Sequence, residues 1–211
     1  MASKLTRADR AIVRLADGTV KQQNLLTGTE VWTVPGRGNR PLTAPHTDHN
    51  PIDHEADGHH CAFCSGRYLE TPPEKSRLVH REDGSWEQLN ALGADQLGDT
   101  VAEFRRIPNL FEIVSYNYWH LNHGHVPSEN DRRRMAQYLA SDAGYEHVMN
   151  VVRARMLASG MSEGEFAATS ETARLQSAYG FFSGGHDLII GRRHFVDGAT
   201  EAHQLAGSGT L

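Results

Sequence analysis

The sequence predicts an α+β fold: a mostly antiparallel sheet with flanking helices. Three observations point there. Short β-branched and aromatic runs bounded by turn residues occupy the first 35 positions and return after residue 112. Two capped, amphipathic helical stretches lie between Ser128 and Gly160. No internal repeat or coiled-coil heptad imposes another architecture.

The elements follow in chain order. Ala11–Ala16 and Val20–Pro35 predict short strands, with Thr27-Gly28 as a turn before the alternating Val31-Trp32-Thr33-Val34. From residue 36 to 60 the chain is rich in Pro, Asn, Asp and Gly, which break both regular periodicities, and an extended surface loop is expected. Five histidines (His46, His49, His54, His59 and His60) fall within fifteen residues of this loop. Ile113–Trp119 carries the strongest strand signal. Ser128 is a natural cap for a helix whose Met135, Tyr138 and Leu139 share one face. A second helix is predicted from Asp142 to Ser159, with Val148, Val151, Val152 and Met156 inward and Gly160 as its stop. Ser177–Ser183 and Asp187–Gly191 read as strands. Ala206–Leu211 reads as the approach to a helix, with Ser208 or Thr210 as its cap.

Composition narrows the functional classes. A chain of 211 residues is one large domain or part of a larger one, and it can bury a core without disulfides. Two cysteines exclude a staple-rich secreted scaffold. With Lys+Arg 21 against Asp+Glu 26 the net charge is −5, so a wholly basic nucleic-acid-binding surface is not expected. No apolar run approaches the roughly 18–20 residues of a membrane span. The opening residues lack the apolar core of a signal peptide. A cytoplasmic protein follows as the expectation.

The residues that carry chemistry fall into scattered blocks. Cys61-Ala-Phe-Cys64 spaces two thiolates to share a tetrahedral zinc ion, with a redox pair or two incidental cysteines as the other readings. Simultaneous ligation by the adjacent His59 and His60 is sterically awkward, so His186 or His194, carried by the sheet, is the better third ligand. Arg37 and Arg40, on the glycine-bearing loop Gly36–Pro41, can offer planar guanidinium forks to a phosphate chain, or simply lie in solvent. In Ile107-Pro-Asn-Leu-Phe111, Asn109 can hydrogen-bond a sugar or base edge and Phe111 can stack, although a plain strand entrance explains both. His120, His123 and His125 can bind metal, bear a nucleophilic imidazole or form a polar loop. Arg132-Arg133-Arg134 reads as the solvated side of a helix.

The order of the blocks Leu26–Pro41, Cys61–Cys64, Glu70-Thr-Pro-Pro-Glu74, Ile107–Phe111 and Gly185-His-Asp-Leu-Ile-Ile-Gly-Arg-Arg-His194 resembles the N-terminal half of the galactose-1-phosphate uridylyltransferase family, in the histidine-triad superfamily. The resemblance implies a bacterial branch of that family. It also implies a structural zinc held by Cys61, Cys64 and His194, with a fourth ligand elsewhere. Arg37 and Arg40 would face the phosphates of a nucleotide sugar or other nucleoside diphosphate. Asn109 and Phe111 would line the nucleotide pocket, and Phe63 would lie against the base. Residues from about 112 to 176 resemble an insertion with two helices. The family's catalytic His-x-His-x-Gln is absent from these residues. The resemblance therefore implies one incomplete histidine-triad-like domain with no catalytic residue of its own, a homodimer or a completing second half as partner, and no nucleic acid or membrane. The implied activity is nucleotidyl transfer through a nucleotidyl-histidine. The alternatives are a zinc-stabilised nucleotide-binding module without turnover, or a nucleotide hydrolase or phosphorylase of the same superfamily.

Overall fold

A computed structural model describes residues 11–35, 59, 62–110, 112 and 114–192. The fold is α+β, with two antiparallel sheets and helices on one side of the larger one.

The smaller sheet has the order β1 (Ile12–Arg14), β2 (Val20–Gln23), β3 (Glu30–Thr33). The predicted strands and their turn are all present, with Gly28 at φ +75°, a conformation that favours glycine. Trp32 sits under the Lys21 ammonium, 4.0 Å from the ring centre, and faces Tyr118 at 5.7 Å. The Ala16 backbone N–H donates to Asn122 Oδ1 at 2.7 Å, tying this sheet to the first helix.

The larger sheet has the order β5 (Trp86–Asn90), β4 (Ser76–His80), β6 (Phe104–Pro108), β7 (Asp187–Gly191). The strand predicted at Asp187–Gly191 is β7, while β4, β5 and β6 carry no strand signal legible beforehand. Alternation along β4 buries Arg77 and Val79 and exposes Leu78 and His80; along β6 it buries Arg105 and Ile107 and exposes Phe104 and Arg106. Two inward positions are thus arginines.

Two sequence expectations are corrected. Ile113–Trp119 was expected as the main strand, yet Tyr116–His123 is helix α1. Its N-cap Ser115 accepts from the Tyr118 N–H, and Gly124 closes it in the left-handed conformation at φ +67°. Caps at both ends outweigh the strand preference of aromatic residues, which is mostly a packing preference. Ser177–Ser183 was also expected as strand. It holds the end of α5 (Glu171–Ser177) and α6 (Tyr179–Ser183). Consecutive Phe181 and Phe182 are both buried, which a helix against two neighbours allows and a half-buried strand does not.

The two predicted helices are α2 (Glu129–Leu139), with a capping box from Ser128 and Asp131, and α3 (Asp142–Ala158), capped by Ser141. With α1 and α4 (Glu163–Ala168) they place four whole helices and most of α5 where two were expected in 112–176. Met135, Tyr138, Val148, Val151 and Val152 form the helical core with Ala178, Phe181 and Phe182. Of the arginine run on α2, Arg132 and Arg133 are solvated as expected. Arg134 turns inward, donates to the Glu74 carbonyl at 3.0 Å and lies over the Phe182 ring.

Between helices and sheet lies a polar layer. The Glu74 carboxylate takes the Nε–H of Arg77 on one oxygen and that of Arg105, at 2.7 Å, on the other. All three side chains are at most 3% exposed. Arg77 Nη1 reaches the Leu97 and Thr100 carbonyls, Arg105 Nη2 reaches Thr71 Oγ1 at 2.8 Å, and both guanidinium groups stack on Tyr68. Beside them His147 Nε2–H donates to the Thr71 carbonyl at 2.8 Å, so Nδ1 accepts from the Tyr138 hydroxyl at 2.6 Å.

Candidate functional site

The predicted site residues divide sharply. Arg37, Arg40, Cys61, Phe111 and His194 lie outside the described residues, as does most of the His46–His60 cluster. Cys64 is buried at the head of a 3-10 helix over Ser65–Glu70. Phe63 precedes it, half-buried in the turn. The His59 ring lies against Gly66, where a Cβ would come within 2.0 Å of it, so one imidazole is packed on the turn that carries Cys64. Among the described residues no three His, Cys, Asp or Glu side chains are grouped to hold a metal. For zinc, the residue types of the expected donor set, two cysteines and a histidine, are suitable, and Cys64, the described one, is buried.

Asn109 is where sequence and structure meet. It follows Pro108 at the end of β6, and its backbone N–H donates to the His186 carbonyl at 2.9 Å. Its neighbours wall a small recess open to solvent, lined by Asn109 and Glu112 on one side, Ser115 and Tyr116 at the start of α1, and Arg155 from α3. The start of a helix directs unpaired N–H groups and a partial positive charge outward.

Arg155 is the cationic wall. Burial pulls its guanidinium below the ordinary arginine value, and the nearby Glu112 carboxylate opposes that shift. Arginine stays charged even so, which suits it to an anion in a partly dry site. Burial, with a smaller contribution from Tyr179, pushes the Tyr116 phenol up, so it is a hydrogen-bond donor at neutral pH.

Glu112 joins this recess to His186. His186 Nδ1 and Glu112 Oε2 are 2.7 Å apart, with the carboxylate 7% exposed and the imidazole 67%. The other carboxylate beside His186, Asp187, is already engaged by Lys75 and Arg106, each at 2.6 Å.

The second histidine cluster has a local role. His120 stacks on Tyr116 and bonds the His125 carbonyl at 2.8 Å, while His123 packs on Tyr118 and Trp119.

A family model described as Domain of unknown function (DUF4921) matches residues 15–211. The chain belongs to this DUF4921 family. No curated protein and no solved structure matches the chain. Among the described residues no helix is long and apolar enough to cross a membrane.

Sequence reasoning missed Glu112, Ser115 and Arg155. An exposed-looking Arg on a helix face and a Glu beside an aromatic carry no local pattern; only the packing of α1, α3 and α6 makes them neighbours. Ser115 alone had a usable signal, as a capping residue directly before the run Tyr116–His123 that closes on Gly124.

Proposed function

We propose that this chain is a nucleoside-phosphate-binding α+β unit of the nucleotidyl-transfer type, acting on a nucleotide sugar or related diphosphate. The observation that carries the reading is the position of Asn109. The residue that the family resemblance assigns to the nucleotide pocket lines a recess that also holds Arg155 and the capped start of α1. The recess encloses room for little more than one water molecule, so a phosphate would sit at its mouth beside Arg155, with the sugar on the open surface outside. Arg155 and Ser115 would bind phosphate oxygens, and Asn109 the sugar or base edge.

In this reading Cys61, Cys64 and His194 would hold one structural zinc ion, with Arg37 and Arg40 on the distal phosphates and Phe63 and Phe111 against the base. Zinc bound by these residues and a fourth protein ligand would supply folding energy. The nucleophilic imidazole for transfer would come from a partner or completing half.

The test is calorimetric titration of the purified chain with UDP-glucose and ADP-glucose, alongside its zinc content by plasma mass spectrometry. We expect saturable binding of at least one nucleotide sugar and close to one zinc per chain. Loss of a charge-assisted bond at Arg155 corresponds to about 1.5–3 kcal/mol, so Arg155→Met weakens binding roughly 10- to 150-fold. No binding of either ligand, or equal binding by R155M, overturns the reading.

A further inference from the structure

The recess has a proton-transfer group at its edge. We propose that His186, oriented by Glu112, is a general base that activates water against a phosphate anhydride seated beside Arg155. This gives the chain a hydrolytic activity on nucleoside diphosphate esters. The inference rests on the recess being a nucleoside-phosphate site.

Three features of the geometry carry it. The 2.7 Å contact fixes the ring through Nδ1, leaving Nε2 as the nitrogen available to a reactant, and the imidazole is largely exposed while its carboxylate partner is almost fully buried. A buried carboxylate that holds one imidazole nitrogen orients the other and stabilises the cation formed when it takes a proton. The segment is also anchored: Asn109 N–H holds the His186 carbonyl, Lys75 Nζ reaches the Gly184 carbonyl at 3.4 Å, and Lys75 and Arg106 clamp Asp187. Finally, Glu112 lines the recess itself and interacts electrostatically with Arg155, so one carboxylate links the base, which stands just outside the recess, to the phosphate-binding cation in its wall. Asp187 cannot compete for the ring while two cations engage it.

The step balances without a co-reactant other than water. The water oxygen forms a bond to the phosphorus, and its proton passes to His186 Nε2. The anhydride P–O bond breaks, and the leaving phosphate departs as an anion. The second hydrogen stays on the new phosphate oxygen, and the imidazolium then releases its proton to solvent. Glu112 is a positioning residue, acting through His186.

The experiment follows UDP-glucose and ADP-glucose by phosphorus NMR with the full chain, looking for the nucleoside monophosphate and glucose 1-phosphate, with binding measured in parallel. We expect H186Q to lower kcat roughly 100-fold or more, within the 10²–10⁴ range of general acid–base catalysis, with KM little changed. H186G should regain turnover on addition of free imidazole, and E112D should keep more kcat than E112Q; a merely structural role predicts neither. Unaltered turnover in H186Q, or wild-type chain that binds a nucleotide sugar and does not hydrolyse it, overturns this inference and leaves the binding reading standing. Absence of binding overturns both.

Discussion

Glu74 provides the sharpest test of how this fold is held together. One carboxylate faces two guanidinium groups, and neither Arg77 nor Arg105 has another acid among its hydrogen-bond partners in the described residues. The buried group is therefore cationic by one charge, with Arg77 Nη2 and Arg105 Nη1 buried and lacking an acceptor. Burial pulls the Arg105 guanidinium below its ordinary value even though Glu74 raises it. Glu74→Gln keeps the shape and removes the only negative charge. Breaking a buried ion pair on one side costs about 3–5 kcal/mol, because the remaining charge has neither water nor counter-ion. For a chain of this size, at about 2–4 °C per kcal/mol, that lowers Tm by roughly 6–20 °C. Arg105→Met removes the surplus cation and leaves a balanced Glu74–Arg77 pair, so it should be the milder change despite the loss of the Thr71 bond. Urea denaturation followed by circular dichroism measures both. E74Q within about 1 kcal/mol of wild type, or R105M more damaging than E74Q, refutes the charge argument.

Two further perturbations probe the helical core. Gly144, in the first turn of α3, would place an alanine Cβ 1.9 Å from the Tyr138 carbonyl oxygen. Alanine is better than glycine in a helix by about 1 kcal/mol, but backbone cannot rotate away, so overpacking of roughly 1–3 kcal/mol should win and G144A should denature at lower urea; a G144A midpoint at or above wild type would contradict this. His147 gives a pH signature. Burial, first, and then the field of Arg105 lower its folded-state value, outweighing the Thr71 bond and Glu74. The unfolded chain then binds the proton more readily, so this contribution is fully present above the ordinary imidazole value of about 6.5 and is lost as pH falls below it. The difference in unfolding free energy between wild type and H147Q should shrink from pH 7.5 to pH 5, and a constant difference would show that His147 does not titrate as described.

How much of this was legible in advance depended on what faces inward. The β1–β3 sheet, α2, α3 and β7 were readable because their turn residues, caps and apolar periodicity agree with one another. Ser128 capping α2 and Ser141 capping α3 are local chemistry that sequence states directly. β4 and β6 were not readable because Arg77 and Arg105 occupy positions where a half-buried strand ordinarily shows an apolar residue. Their burial depends on Glu74, which lies three and 31 positions away respectively, and on the Tyr68 ring. α1 and α6 failed for the opposite reason: an apolar aromatic run is consistent with either period, and only the tertiary position of Tyr116 and Phe181 decides. Of the residues lining the recess, Asn109 is singled out in the sequence by the block around it, whereas Glu112 and Arg155 become neighbours only through tertiary packing.

The placement of that exit explains why a site can form there at all. β6 and β7 are paired from Phe104 opposite Gly191 to Pro108 opposite Asp187, and pairing stops where the chain reaches Asn109 and His186. Proline lacks the N–H that a further ladder bond would use, yet the next N–H, that of Asn109, still reaches the His186 carbonyl. Two loops thus leave one rigid strand pair side by side, already bonded to each other. Lys75, from the lead-in to β4, holds the same corner through Asp187 and the Gly184 carbonyl. Polar groups in loops are costly to position precisely because ordering them loses entropy. Here the sheet bears that cost, and Glu112 and His186 project from its end while α1 and α3 supply the opposite wall.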